Sequence, residues 1–182
     1  KLFSEYNHTV AQLLITGADV EHPARHDNFR NTMNRLLALG ALPIINENDT
    51  VATEEIVIGD NDTLAAIVAQ SVEAELLVLL SDIDGLYTAD PHTDPNAKLI
   101  STVNRIDEEL LALAGGSGSL GTGGMVTKLH AAQICLSCGC DMVITNGNKP
   151  SNLYAIIDGE NIGTTFSRST VVILFFGSFL IA

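Results

Sequence analysis

Apolar residues fall along this chain in two rhythms. Short runs at residues 12–16, 41–46, 75–81 and 141–145 have the length of strands. The Leu-Leu-Val-Leu-Leu stretch at 76–80 is continuous enough to read as a central parallel strand. Helical spacing takes over between them. Met33, Leu36, Leu37 and Leu39 share one side of a helix over 29–39, and Gly40 follows as its stop. A second helix is predicted over 63–73 with Asp62 as its N-cap. Three more are predicted over 107–114, over 125–138 and over 152–157. The acidic start Asp107-Glu108-Glu109 suits a helix N-terminus, where negative charge is favourable. Residues 53–58 alternate less cleanly and fit part of a hairpin, and residues 115–124 form a Gly/Ser-rich loop.

Strands alternating with helices across short connections predict an α/β domain built on a mainly parallel sheet. Ligands of such sheets bind beyond the carboxyl ends of the strands. That rule places three segments at the working edge: residues 46–50, 81–85 and 145–149. No internal repeat or linker divides the chain.

Composition narrows the class. With 46% apolar and 17% charged residues among 182, the chain can bury a sizeable core and is not intrinsically disordered. A formal charge of −13 argues against general nucleic-acid binding, which needs Lys and Arg to neutralise phosphates. An anionic substrate therefore requires a local concentration of positive groups. Cys135, Cys138 and Cys140 have no second Cys or His pair at ligand spacing, so a structural reading outweighs a metal or redox one. The odd count fits a reducing compartment. The five histidines are scattered and form no ligand pair. No signal peptide is expected from the opening residues, and the apolar run at 171–182 is too short to span a bilayer.

Four segments carry candidate chemistry, and each has a plain structural reading beside it. Gly121-Thr122-Gly123-Gly124-Met125 precedes a helix with Lys128 near its first turn. Glycines there let backbone N–H groups crowd an anion, and the helix end adds positive potential. The lysine leans back toward the same anion. The spacing is not that of a Walker A loop, and the plain reading is a flexible loop before a surface lysine. Gly59-Asp60-Asn61-Asp62 offers carboxylates to orient cationic groups and an amide for a polar substrate; alone, it is a turn and a helix cap. Asn46-Glu47-Asn48-Asp49-Thr50 follows a buried strand, and Asp49 suits a substrate ammonium; the alternative is an Asx-type turn. Ser81 and Asp82 follow the strongest strand and suit a nucleotide; the alternative is a solvated loop.

Taken together, these segments resemble the glutamate 5-kinase family of the amino acid kinase superfamily. The matching stretches are residues 43–53, 59–62, 79–91 (with Thr88-Ala89-Asp90-Pro91) and 121–128, in the family's order and spacing. The resemblance covers residues 1–166. It implies a three-layer αβα sandwich around a mainly parallel sheet. It implies transfer of the ATP γ-phosphoryl group to the side-chain carboxylate of L-glutamate with Mg²⁺, the first step of proline biosynthesis. Asp49 and Asn61 match positions that bind glutamate, Asp62 the aspartate that organises catalytic lysines, and Lys128 a lysine on the moving phosphoryl group. Ser81 and Asp82 match a Thr-Asp pair that touches the nucleotide, and Gly121, Thr122, Gly123, Gly124 and Met125 match the nucleotide loop. No protein metal ligand is implied. The family also implies a cytoplasmic homo-oligomer, often inhibited by proline, with no nucleic-acid or membrane partner.

Two departures qualify that expectation. The family opens with a strand and glycine-rich turn that supply another phosphate-binding lysine. Nothing here matches them, so the first strand and its helix are expected to be missing, with apolar surface left exposed beside them. Residues 167–182 form an atypical apolar tail instead of the family's polar continuation. A remnant that binds nucleotide or amino acid without turnover, or a sister kinase with another acceptor, therefore stands as an alternative.

Overall fold

The computed structural model describes residues 2–50, 58–114 and 124–168. In chain order the elements are α1 (Leu2–Glu5), β1 (Val10–Ile15), α2 (Gly17–Glu21), α3 (Pro23–Ala38), β2 (Leu42–Glu47), α4 (Asn61–Ser71) and β3 (Leu76–Ser81). They continue as β4 (Thr102–Val103), α5 (Glu108–Ala114), α6 (Met125–Cys138), β5 (Asp141–Asn146), α7 (Asn152–Ile157) and β6 (Thr164–Phe166). The expected strands at 12–16, 41–46, 75–81 and 141–145 are all present. The short strands β4 and β6 have too few residues to show a period. Most of the predicted hairpin at 53–58, residues 115–123 of the predicted glycine-rich loop, and the tail from 169 onward lie outside the described residues.

The described strands form two sheets. β1 and β2 pair in parallel, and a four-stranded sheet runs β3-β5-β6-β4. In the larger sheet β3–β5 and β4–β6 are parallel and β5–β6 is antiparallel, so the architecture is α/β with mainly parallel pairing. β3 and β5 run in register from Leu76 opposite Asp141 to Ser81 opposite Asn146.

Helix α4 joins the two halves. Seven of its eleven residues are buried, because it packs on more than one side. Leu64 and Val68 sit with Ile15, Phe29, Met33 and Ile45 beneath the small sheet. Ala65, Ala66 and Ala69 belong instead to the larger core, with Ala131 and Ala132 of α6 and with Leu77, Leu79, Met142 and Ile144 of the sheet. Alanines facing alanines leave little between the helix backbones, so α4 and α6 lie close together along their lengths. Each large apolar side chain fully buried this way contributes about 1.5–3 kcal/mol. On the opposite face of the larger sheet, α7 packs through buried Ile156, and Asn152 donates to the Thr145 hydroxyl at 2.8 Å. Helices therefore cover both faces of that sheet, giving three layers. Apolar side chains remain exposed on other strands: Val10 and Leu14 of β1 and Leu80 of β3.

The start of α4 differs from the expectation that Asp62 caps it. Asp60 is the N-cap: its carboxylate accepts the Thr63 N–H at 2.7 Å and the Thr63 hydroxyl at 2.8 Å. Asp60-x-x-Thr63 closes the cap one position before the helix begins, and Asp62 falls inside the first turn. Its side chain is thereby released for a contact elsewhere. The stop at Gly40 is as predicted: φ is +70° and its N–H donates to the Leu37 carbonyl at 2.8 Å. Asp107 likewise caps α5, accepting the Leu110 N–H at 3.0 Å.

Candidate active site

The released Asp62 carboxylate reaches α6. Its Oδ2 accepts from Lys128 Nζ at 3.0 Å. The Thr127 hydroxyl lies 2.7 Å from the same oxygen and 2.8 Å from the Gly124 carbonyl, and its single proton serves one of them at a time. Lys128 is only 8% exposed, so this pair works under reduced solvent screening. Removing either partner would strand the other charge in the interior.

The same contacts bring two helix N-termini together, since Asp62 is the second residue of α4 and Thr127 the third of α6. Both ends carry positive potential and N–H groups without helical partners. A cavity of about 490 Å³ opens beside them, lined by Asn46, Glu47, Asp49, Gly59, Asp60, Asn61, Asp62 and Lys128. Asn46, Glu47 and Asp49 come from the carboxyl end of β2 and the turn after it. The rest come from the two helix starts.

Sequence-predicted residues sort into three groups. Asp49, Asn61, Asp62 and Lys128 line this one cavity, although Asp49 and Lys128 are 79 positions apart in the chain. Ser81 and Asp82 lie elsewhere, at the end of β3, and do not line it. There the Ser81 hydroxyl donates to Asp82 Oδ1 at 3.1 Å, the Gly147 N–H donates to the Ser81 carbonyl at 2.7 Å, and Asn146 donates to Asp84 Oδ1 at 2.9 Å. The carboxyl ends of β3 and β5 thus carry a separate polar cluster. Gly121, Thr122 and Gly123 lie outside the described residues, while Gly124 is the N-cap of α6 and Met125 its first residue.

Three residues at the site had no assignment from the sequence. Glu47 accepts the N–H groups of Ile58 at 2.8 Å and Gly59 at 3.2 Å. Thr127 shares Asp62 with Lys128. His130 Nδ1 lies 3.4 Å from the Thr63 hydroxyl that also contacts Asp60. An acidic side chain after a strand, or a threonine inside a glycine-loop helix, gives no period or spacing that would single it out.

The arrangement suits an anion handled beside a polar, ammonium-bearing ligand. Four carboxylates line the cavity (Glu47, Asp49, Asp60 and Asp62) with the one lysine among the described lining residues. Two of the four are engaged by backbone N–H groups and one by Lys128 and Thr127. No group of three His, Cys, Asp or Glu side chains among the described residues is arranged to hold a metal ion. The cysteines stand apart from the site. Cys135 and Cys140 are buried and Cys138 exposed, and a hydrogen bond to Cys140 together with burial pushes the Cys135 thiol up from its ordinary range. No helix among the described residues is long and apolar enough to cross a membrane.

Comparison with known proteins bears on the family and the fold. The profile of the Amino acid kinase family matches residues 1–146. A glutamate 5-kinase of Listeria monocytogenes is 49% identical over 172 residues, covering 92% of this chain and 62% of that protein. A glutamate 5-kinase of Symbiobacterium thermophilum is 55% identical over 168 residues, covering 92% of this chain and 64% of that protein. The chain thus spans somewhat under two thirds of the length of these relatives. Among solved structures, an isopentenyl phosphate kinase of T. acidophilum superposes with a TM-score of 0.62 at 20% identity, covering 90% of this chain and 62% of that one. A UMP kinase from Bacillus anthracis superposes with a TM-score of 0.62 at 14% identity, covering 96% and 64%. At those identities the likeness is one of fold.

Proposed function

The chain belongs to the amino acid kinase family, and from that premise we propose that its site phosphorylates the side-chain carboxylate of L-glutamate with ATP. The observation that carries the reading is the Asp62–Lys128 pair at two converging helix starts, on the wall of a cavity that also holds Asp49 and Asn61. Identities of 49% and 55% to glutamate 5-kinases support the choice of acceptor.

In this reading a glutamate carboxylate oxygen attacks the γ-phosphorus. The new O–P bond gives γ-glutamyl phosphate, and the bond to the β-phosphate oxygen breaks to release ADP. The carboxylate is already ionised at neutral pH, so no general base is needed. The obstacle is repulsion between anions, and catalysis rests on positioning and positive charge around the transferring group. Lys128 and the helix N-termini supply that charge, and Asp62 holds the ammonium in place. Asp49 takes the substrate α-ammonium, and Asn61 takes its polar groups. Ser81, Asp82 and the stretch from Gly121 through Thr122, Gly123 and Gly124 to Met125 hold the nucleotide. Mg²⁺ would be held mainly by the ATP phosphates, with one or two of the cavity carboxylates completing its shell, and would supply further positive charge to offset the repulsion. The product is the first intermediate on the route to proline, made in the cytoplasm. Homo-oligomer formation and inhibition by proline complete the proposal.

Binding without turnover is the second reading. It is favoured by the single lysine among the described cavity residues, set against four carboxylates. A hydroxylamine trap with ATP, Mg²⁺ and L-glutamate separates the two. It should be run on this chain and on one extended at its N-terminus with the corresponding segment of a relative. Hydroxamate from either protein supports the kinase. None from both, with each folded and binding glutamate, leaves the binding reading.

A further inference from the structure

We infer that Glu47 is a positioning residue that fixes the substrate side of the cavity against its catalytic side. The inference rests on the functional reading above and deepens it. Glu47 is the last residue of β2, one position after Asn46 and two before Asp49. Its two carboxylate oxygens are spent on different backbone donors: Oε1 takes the Ile58 N–H at 2.8 Å and Oε2 the Gly59 N–H at 3.2 Å. Those two residues lead directly into Asp60, Asn61 and Asp62. One side chain therefore ties the strand end that carries Asp49 to the backbone that delivers Asn61 and the Asp62–Lys128 pair.

The covalent chain provides no such tie, since eleven positions separate Glu47 from Ile58. Gly59 has φ of +86°, a left-handed conformation that other residues adopt with difficulty and that turns the chain from the tied amides into Asp60. A carboxylate accepting two successive N–H groups is a charge-assisted contact, stronger than a neutral one. Placement errors of about 1 Å cost reacting groups on the order of a hundredfold, so a tie at this point acts on substrate geometry.

The charge of Glu47 makes the role separable from electrostatics. Glutamate and ATP are both anions at this acidic cavity. If Glu47 acted only through its charge, its removal would tighten both ligands. If it acts as a clamp, its removal weakens glutamate and spares nucleotide, because Ser81 and Asp82 sit at another strand end.

The test uses this whole chain as wild type, Glu47→Ala and Glu47→Gln. Glutamine keeps one acceptor oxygen in nearly the same shape. Hydrogen exchange at the Ile58 and Gly59 amides is measured beside titration with L-glutamate and with a non-hydrolysable ATP analogue plus Mg²⁺. We expect exchange at both amides to quicken about tenfold or more in Glu47→Ala. We expect glutamate affinity to fall about tenfold with the analogue within about twofold, and Glu47→Gln to lie between. Unchanged exchange overturns the clamp. Faster exchange with unchanged glutamate binding, equal losses of both ligands, or tighter glutamate binding in Glu47→Gln overturns the positioning role. Wild-type protein that binds the analogue but no glutamate overturns the functional reading instead, and the exchange result then decides the clamp alone.

Discussion

Lys128 shows how much a single residue's setting adds to its identity. A lysine after glycines reads equally well as a surface residue, but this one is buried against Asp62, with Thr127 on the same oxygen. Replacing it has two separable costs. Lys128→Ala should lower phosphoryl transfer by about a hundredfold or more through lost stabilisation of the transferring charge. It should also lower stability by about 1.5–3 kcal/mol through the lost charged hydrogen bond. Lys128→Met keeps the apolar stem, so it should recover part of the packing in a urea melt while leaving turnover as low as in the alanine variant. Wild-type rates in either variant would remove the lysine from the mechanism. Asp49→Ala should weaken glutamate by about tenfold while ATP-analogue binding holds, as judged by titration; equal losses would take Asp49 off the substrate.

At the level of elements, local sequence rules place the helices and tertiary contacts adjust their ends. The cap of α4 moves from the expected Asp62 to Asp60 because Thr63 provides both an N–H and a hydroxyl to the earlier carboxylate. At α2, Asp19 accepts the Thr16 N–H and hydroxyl, each at 2.8 Å. Burial alone would raise its pKa, but those two hydrogen bonds and nearby Arg25 together bring it below the ordinary carboxylate value. A group with a depressed folded-state pKa stabilises the fold above its unfolded pKa and loses that effect as pH falls through the folded value. Wild type should therefore exceed Asp19→Asn in urea midpoint at pH 7, and the gap should shrink as pH falls below about 4. A gap that persists at pH 2 would refute the assignment. The start of β6 depends on Gly163, where φ is +77° and an added Cβ would run into the Ile144 carbonyl oxygen. Gly163→Ala should cost more than about 2 kcal/mol in stability, read from denaturant melts; a smaller loss would mean that β6 can shift away from β5.

For the whole molecule, the distribution of charge matters more than its total. Twenty-two acidic side chains against nine basic ones give −13, so the folded chain repels itself at low ionic strength. Raising salt from about 10 mM to about 150 mM shortens the screening length from about 30 Å to about 8 Å. The melting temperature should rise over that range. A fall would show that ion pairs such as Arg25–Asp19, Arg30–Glu73 and Lys128–Asp62 outweigh the repulsion. Within this acidic body, α4 links the two cores and sets its first turn against that of α6. The field of two helix ends and Lys128 is thereby concentrated at one wall of one cavity.

How much was legible in advance follows from the range of each force. The strands at 76–80 and 141–145, the long helices, the stop at Gly40 and the α/β class follow from side-chain periodicity and backbone preferences. These are properties of neighbouring residues, so the sequence by itself determined them. The motif set at residues 43–53, 59–62, 79–91 and 121–128 also pointed to the family, because side-chain types at fixed spacing are written in the chain. The rest depended on distant groups meeting. β4 and β6 are two and three residues long and exist only through their partners. The pairing of Asp62 with Lys128, 66 positions apart in chain numbering, was decided by the packing of α4 on α6. Glu47 gained its role only when Ile58 and Gly59 arrived beside it. Periodicity records what a residue prefers locally; only the tertiary structure decided which charges share a cavity, because that depends on where the packed cores bring the ends of strands and helices.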